Sequence, residues 1–293
     1  GVDQMLRTMV GHGLDPMRAV QAATLNAAIR LGRRDLGLIG AGKRADLAIF
    51  GDLQTFEARG VIANGKRVGA ISEGSHVPAA FRKTCNLPPF DASSFMLPAK
   101  GPKVRLATID KPRFTAWGEV EAMVESGHVV RPDDATMIAV INRHGGPTRP
   151  RLGYLRGWGR WDGAFASSVS HDCHNLTVFG ACPEDMAVAA NAVAKAGGGM
   201  AVAHKGVVTA LLALPVAGLV SEAPLEAVAR DFTAVTQAMA KVVAWQPPFL
   251  TFKALVGATL ACNAGPHQTD LGIADPLSDR LLPSPVLEDG LTS

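Results

Sequence analysis

The stretch GAFASSVSHDCHNLTVFGACPEDMAVAANAVAKAGGGMAV, residues 163–202, changes its hydrophobic period twice. AFASSVS leads into a pair of histidines, and LTVFG (176–180) resumes as an apolar strand. From 184 to 199 the apolar positions fall at helical spacing. Glu184 and Asp185 stand at the positive end of that helix, and Gly197 can close it. MAVAHKGVVTALLAL (200–214) then reads as strand, Lys205-Gly206 turn and strand. Strands and helices that mix in this way predict an α+β or α/β domain.

Outward from this stretch, KVRLATID (103–110) alternates as a strand and ATMIAVIN (135–142) reads as a buried one. Between 145 and 163 glycines and prolines stand among arginines and aromatics, which predicts a long structured loop. Residues 224–244 predict a second long helix, and the Gly-, Pro- and Asn-rich tail beyond 245 is expected to wrap the surface, with His267, Asp270 and Asp275 at the surface or in an interface. On the other side, residues 71–100 are irregular and mark a boundary. VIANGKRV (61–68) holds Asn64-Gly65, the strongest hairpin signal in the chain, inside a small β unit. Asp46 in that unit is expected to pair with backbone amides or Arg44. Gly37, Gly40 and Gly42 lack the spacing of a phosphate loop and read as turn glycines. Asp15-Pro16 can start a helix running to about Thr24, and Asn26 can cap a short third helix. The first helix already has an apolar face of Val2, Met5, Leu6, Met9 and Val10, so the chain is expected to begin inside a fold and to expose that face.

A length of 293 residues suits two or three units, and 47% hydrophobic with 19% charged residues is ordinary for a globular protein. A formal charge of +3 and 5% aromatic residues argue against nucleic acid as a partner. The apolar run 207–220 contains Pro215 and is too short for a bilayer, so no membrane association is expected. Cys85, Cys173, Cys182 and Cys262 form no CxxC pair, which argues against a zinc ribbon or disulfide framework and for a cytoplasmic setting.

Three stretches together resemble one family. GLDPMRAVQAATLNAAIRLG (13–32), DLGLIGAGKRADLAIF (35–50) and VIANGKRV resemble the end of a metal-dependent amidohydrolase. NRHGGPTRPRLGYLRGWG (142–159), and residues 163–202 with LPVAGLVSE (214–222), resemble the carboxy-terminal domain of bacterial adenine deaminases. Asn142 stands where a glutamate is commoner in that family, and the tail 248–275 is similar to the form of one branch. The resemblance implies the last helices of an amidohydrolase (β/α) barrel over 1–35, a small β-sandwich segment over 36–75 and a mixed α/β carboxy-terminal domain over 76–293. It implies hydrolytic deamination of adenine to hypoxanthine, a binuclear iron or manganese centre in the full-length enzyme, and a homo-oligomer. The family's metal ligands and catalytic acids match no position here and are expected upstream of Gly1, so this chain alone is expected to hold neither metal nor activity. The alternatives are a non-catalytic domain serving folding or oligomerisation, and a related amidohydrolase acting on another cyclic amidine or amide.

The histidine pair admits three readings. On a strand His171 and Cys173 share one face; on a helical turn His171 and His174 are neighbours. Either way two good ligands converge, one short of a catalytic zinc, and a cysteine is a poor companion for iron or manganese. The histidines can instead fix a turn through hydrogen bonds. Or the loop faces the pocket, where His171, Asp172, His174 and Asn175 would touch substrate or orient a metal ligand. Arg143 and His144 form a second polar group, read as a solvated turn with an arginine pinning a loop.

Overall fold

A computed structural model describes residues 1–69, 77–82, 84–112, 114–244, 255, 257–262 and 264–291. The chain divides into two compact units, Gly1–His76 and Val77–Ser293.

In the first unit, α1 (Val2–Gly11) is followed by α2 (Pro16–Gln21), a π turn (Ala22–Asn26) and α3 (Ala27–Arg30). Asp15 caps α2, its carboxylate accepting the Arg18 amide at 3.0 Å, with Pro16 at the first helical position. Asn26 does not cap a new helix. Its backbone is helical and its side chain accepts no capping bond, because the chain passes through a π turn without a break. Leu6 is buried with Ala19 and Phe56, while Val2, Met5 and Met9 are exposed within this unit. Strands β1 (Leu47–Phe50), β2 (Ala58–Ala63) and β3 (Lys66–Arg67) form one antiparallel sheet. Asn64 and Gly65 have φ of 51° and 75°, the double positive φ of a type I′ hairpin. Asp46 accepts the Asn64 amide at 2.7 Å and pairs with Arg44 at 2.6 Å, as expected.

The second unit is built on β4 (Lys103–Asp110), β5 (Ala116–Glu125), β6 (His128–Val129), β7 (Ala135–Ile141), β8 (Arg151–Arg156), β9 (Arg160–Trp161), β10 (Ala164–Ser167) and β11 (Leu176–Gly180). After them come α4 (Pro183–Lys195), β12 (Gly199–His204), β13 (Val207–Ala213), α5 (Leu225–Val242), β14 (Val243–Ala244), β15 (His267–Thr269), β16 (Gly272–Asp275), β17 (Arg280–Leu282) and β18 (Val286–Leu291). The main sheet runs β13-β12-β10-β11-β7-β8-β4-β5-β6, with β18 on β4, and among these pairs only β4 with β8 is parallel. Helix α4 packs with Phe95, Leu106, Ile141 and Val178 on one face. Helix α5 packs with Trp158, Phe165, Phe179 and Val202 on the other. Burial on both faces explains why β7 and β11 are buried throughout and largely apolar rather than alternating. Each Val or Met that α5 buries fully contributes about 2 kcal/mol.

Two expectations for this unit fail. The glycine- and arginine-rich stretch 145–163 is not a loop: β8 lies within it, and Tyr154 and Trp158 are fully enclosed. Gly153 is what permits this, since a Cβ there would stand 2.1 Å from the Gln268 side chain. Nor does the tail merely wrap the surface. Residues 245–254 lie outside the described residues, but β15–β17 form a small sheet and β18 extends the main one. His267 and Asp275 are buried there, and Asp270 accepts a bond from Asn142 at 2.8 Å.

Candidate functional site

Sheet register gathers one end of the main sheet. Ile141 lies opposite Leu176, Ser167 opposite Thr177 and Met200, and Gly199 opposite Ala213. The residues that follow β7, the β10–β11 loop and the segment after β13 therefore emerge together.

All four candidate residues lie in the β10–β11 loop, residues 168–175. His171 and Asp172 are exposed, His174 is half-buried and Asn175 is 4% exposed. The two imidazoles meet edge to face, with ring centroids 4.7 Å apart. Burial, reinforced by the charge of nearby His171, holds His174 below the usual histidine pKa. His174 Nδ1 and Asn175 Oδ1 are enclosed and find no hydrogen-bond partner among the described residues.

The backbone of this loop, by contrast, is heavily engaged. The His174 amide donates to the Ser170 carbonyl at 2.7 Å, closing a turn, and His174 sits at φ 50°. Thr259 donates to the His171 carbonyl at 3.0 Å, and His144 Nε2 bonds the Cys173 carbonyl at 2.9 Å, so that nitrogen carries the proton. Arg143 Nε donates to the His174 carbonyl at 2.6 Å. Ser170 Oγ lies 2.7 Å from Thr177 Oγ1 and 2.8 Å from Thr259 Oγ1, a hydroxyl bridge beneath the loop. The result is a fixed backbone presenting two exposed polar side chains.

The expected solvated turn is present at the exposed residues 144–147, and Arg143 just before it is 2% exposed. The sequence marks it as a loop pin, but nothing local points to Thr84, His174 or Ala217 as its partners. His267 was also missed. It is buried, its Nδ1 is unpartnered among the described residues, and burial lowers its pKa against the opposing pull of the Gly265 bond and of Asp275 and Asp172. Cys85, beside Arg143, is pushed up by burial despite that cation, which makes it a poor nucleophile.

The family model for the adenine deaminase C-terminal domain matches residues 112–279, more than half of the chain and all of the loop just described. The chain belongs to this family. A second model, the amidohydrolase family, matches residues 2–68. The chain is 56% identical to "Adenine deaminase 2" of Agrobacterium fabrum, over 98% of its own length and 49% of that protein. It is 55% identical to "Adenine deaminase 2" of Rhizobium meliloti, over 98% of this chain and 50% of that one. It is 43% identical to "Adenine deaminase" of Klebsiella pneumoniae, over 94% and 47%. The chain spans about half the length of the curated relatives it matches. Amidohydrolases are generally metal-dependent, but no three His, Cys, Asp or Glu side chains converge among the described residues, so these do not fit a metal centre.

Proposed function

We propose that this chain is the carboxy-terminal half of an aminohydrolase that converts adenine and water to hypoxanthine and ammonia. The observation that supports the reading is identity of 56% with a protein named for adenine deamination, sustained over 98% of the chain. The metals of the whole enzyme, iron or manganese, and the acids that move protons at C6 of adenine belong in this reading to its barrel rather than to these residues. Residues 1–35 are assigned as the last helices of that barrel, 36–75 as its small β appendage and 76–293 as the third domain. The whole enzyme is read as cytoplasmic and homo-oligomeric, with a small purine as its partner.

The same reading gives the β10–β11 loop its part. His171, Asp172, His174 and Asn175 are placed at the pocket, where the exposed imidazole and carboxylate orient the purine or a group that holds metal. Support comes from the contrast between a pinned backbone and the exposed side chains of His171 and Asp172, an arrangement that orders a loop while leaving these groups open to a ligand.

The test uses the full-length protein loaded with manganese and follows adenine absorbance. Turnover of adenine in preference to other purines and cyclic ureides is expected. Turnover of a ureide alone would reassign the substrate, and no turnover of any would favour a structural role. Alanine at His171 or Asp172 is expected to lower kcat/KM at least about tenfold, worth about 1.4 kcal/mol, without changing the melting temperature. Wild-type kinetics in both variants would remove the loop from the pocket.

A further inference from the structure

Arg143 is the side chain whose chemistry agrees least with its surroundings. It is 2% exposed, burial pushes its pKa down, and the donors of its guanidinium meet carbonyls and one hydroxyl rather than a carboxylate. Desolvating a guanidinium is expensive, and a well-packed apolar side chain often fills such a space at lower cost. An apolar side chain cannot donate in one plane from three nitrogens. Nε donates to the His174 carbonyl at 2.6 Å and Nη2 to the Ala217 carbonyl at 3.0 Å. Nη1 donates to the Thr84 carbonyl at 3.1 Å and to its hydroxyl at 3.3 Å. These acceptors come from three separate segments of chain.

The second observation is Gly218. At φ 71°, it lies over the guanidinium so closely that a Cβ would stand 2.8 Å from Nη1, 2.9 Å from Cζ and 3.0 Å from Nη2. Ser168 Oγ holds the Gly218 carbonyl at 2.6 Å, and the Ala217 amide reaches the Phe81 carbonyl at 2.6 Å. The cation is thus seated between strand end and loop backbone, and each segment it binds is tied to another.

We propose that Arg143 is the positioning residue of the histidine loop. It fastens the segments at Thr84, His174 and Ala217 to the end of β7, and so sets the direction in which His171 and Asp172 leave the surface. Its planar fork is the feature used; the single ammonium of lysine reaches at most one or two of these acceptors. The catalytic consequence rests on the adenine-pocket reading, whereas the clamp does not.

The experiment takes the full-length, manganese-loaded enzyme and its variants Arg143→Lys, Arg143→Gln, Arg143→Ala and Gly218→Ala. Amide hydrogen exchange is followed over 170–176 and 214–220, with 135–141 as internal control. Exchange in both loops is expected to rise at least about tenfold in every variant while the control strand stays protected. With adenine as substrate, kcat/KM is expected to fall at least about tenfold, lysine is not expected to restore it, and guanidinium ion added to Arg143→Ala is expected to recover part of it. Gly218→Ala keeps the cation and serves if the charge-removing variants fold poorly. Unchanged exchange in 214–220, or full activity with lysine, would overturn the proposal. So would loosened loops with wild-type kinetics when His171→Ala is impaired. If neither His171 nor Arg143 variants affect turnover, the pocket reading fails, and exchange alone still decides the clamp.

Discussion

Two connections in the same sheet solve the same problem in opposite ways. β12 turns into β13 through Lys205 and Gly206 alone, at φ 52° and 76°. β10 reaches β11, also its antiparallel neighbour, through residues 168–175. The short turn is satisfied by one outside group, the buried Asp185 carboxylate, which accepts the Lys205 amide at 3.1 Å and the Gly206 amide at 2.7 Å. The long one draws on Arg143, His144, Thr259 and a hydroxyl bridge. Reversing an antiparallel strand needs two residues. A longer connection, anchored at this density and still leaving His171 and Asp172 exposed, is what the proposed pocket role of these side chains would require.

Breaking the short connection should therefore cost stability and nothing else. Asp185→Ala removes the buried carboxylate that accepts both amides of this exposed turn and is expected to destabilise the second unit by about 3 kcal/mol. Denaturant titration of the folded enzyme measures that loss, and kcat/KM for adenine should be unchanged below the melting transition. A fall in turnover greater than the loss of folded protein would mean that the two connections are not functionally distinct.

Ser168→Ala sharpens the comparison from the other side. Ser168 Oγ accepts the Gly199 amide at 2.7 Å and donates to the Gly218 carbonyl at 2.6 Å, so it joins the long loop to the backbone lying over Arg143. Its removal is expected to cost about 2 kcal/mol, chiefly through the unpaired Gly199 amide. Unlike Asp185→Ala, it should also raise exchange over 214–220. Smaller again is Gly206→Ala. A Cβ at Gly206 meets nothing within 4 Å, so only the left-handed backbone matters, and about 1 kcal/mol is expected. A larger loss would show a contact at the turn.

The short connection was legible in the sequence and the long one was not, and the reason is physical. Lys205-Gly206, Asn64-Gly65 and Asp15-Pro16 act through backbone preferences within a few residues, so each reads locally. Helices α4 and α5 read from their period. Strand β8 did not, because its glycine is required by Gln268, more than a hundred positions along the chain. The tail strands failed similarly: β18 pairs with β4, a partnership that no local pattern announces. At the site, the four loop residues stood out as polar groups interrupting an apolar run. Arg143 was legible as a pin, but three of its four acceptors are backbone carbonyls, which any residue type supplies and no motif records.

The smallest expected effect concerns protons. His174 and His267 are both held below the ordinary histidine value of 6.5 by burial. Arg143, His144 and His171 face His174 and add to that depression, Asp172 opposes it, and Asp172 with Asp275 opposes it at His267. In the unfolded chain both rings titrate near 6.5, so below that pH the unfolded state binds more protons than the folded one. Above 6.5 both states are neutral at these positions and the pair leaves stability untouched; as pH falls through 6.5 toward the folded values, stability is lost. Denaturation midpoints taken between about pH 7.5 and about pH 5.5 should decline, and His267→Gln should flatten the slope without altering the midpoint trend due to His174. A midpoint that rises on acidification would place the His174 ring in contact with a carboxylate rather than beside a buried guanidinium, and would undo the electrostatic half of the contrast between the two connections.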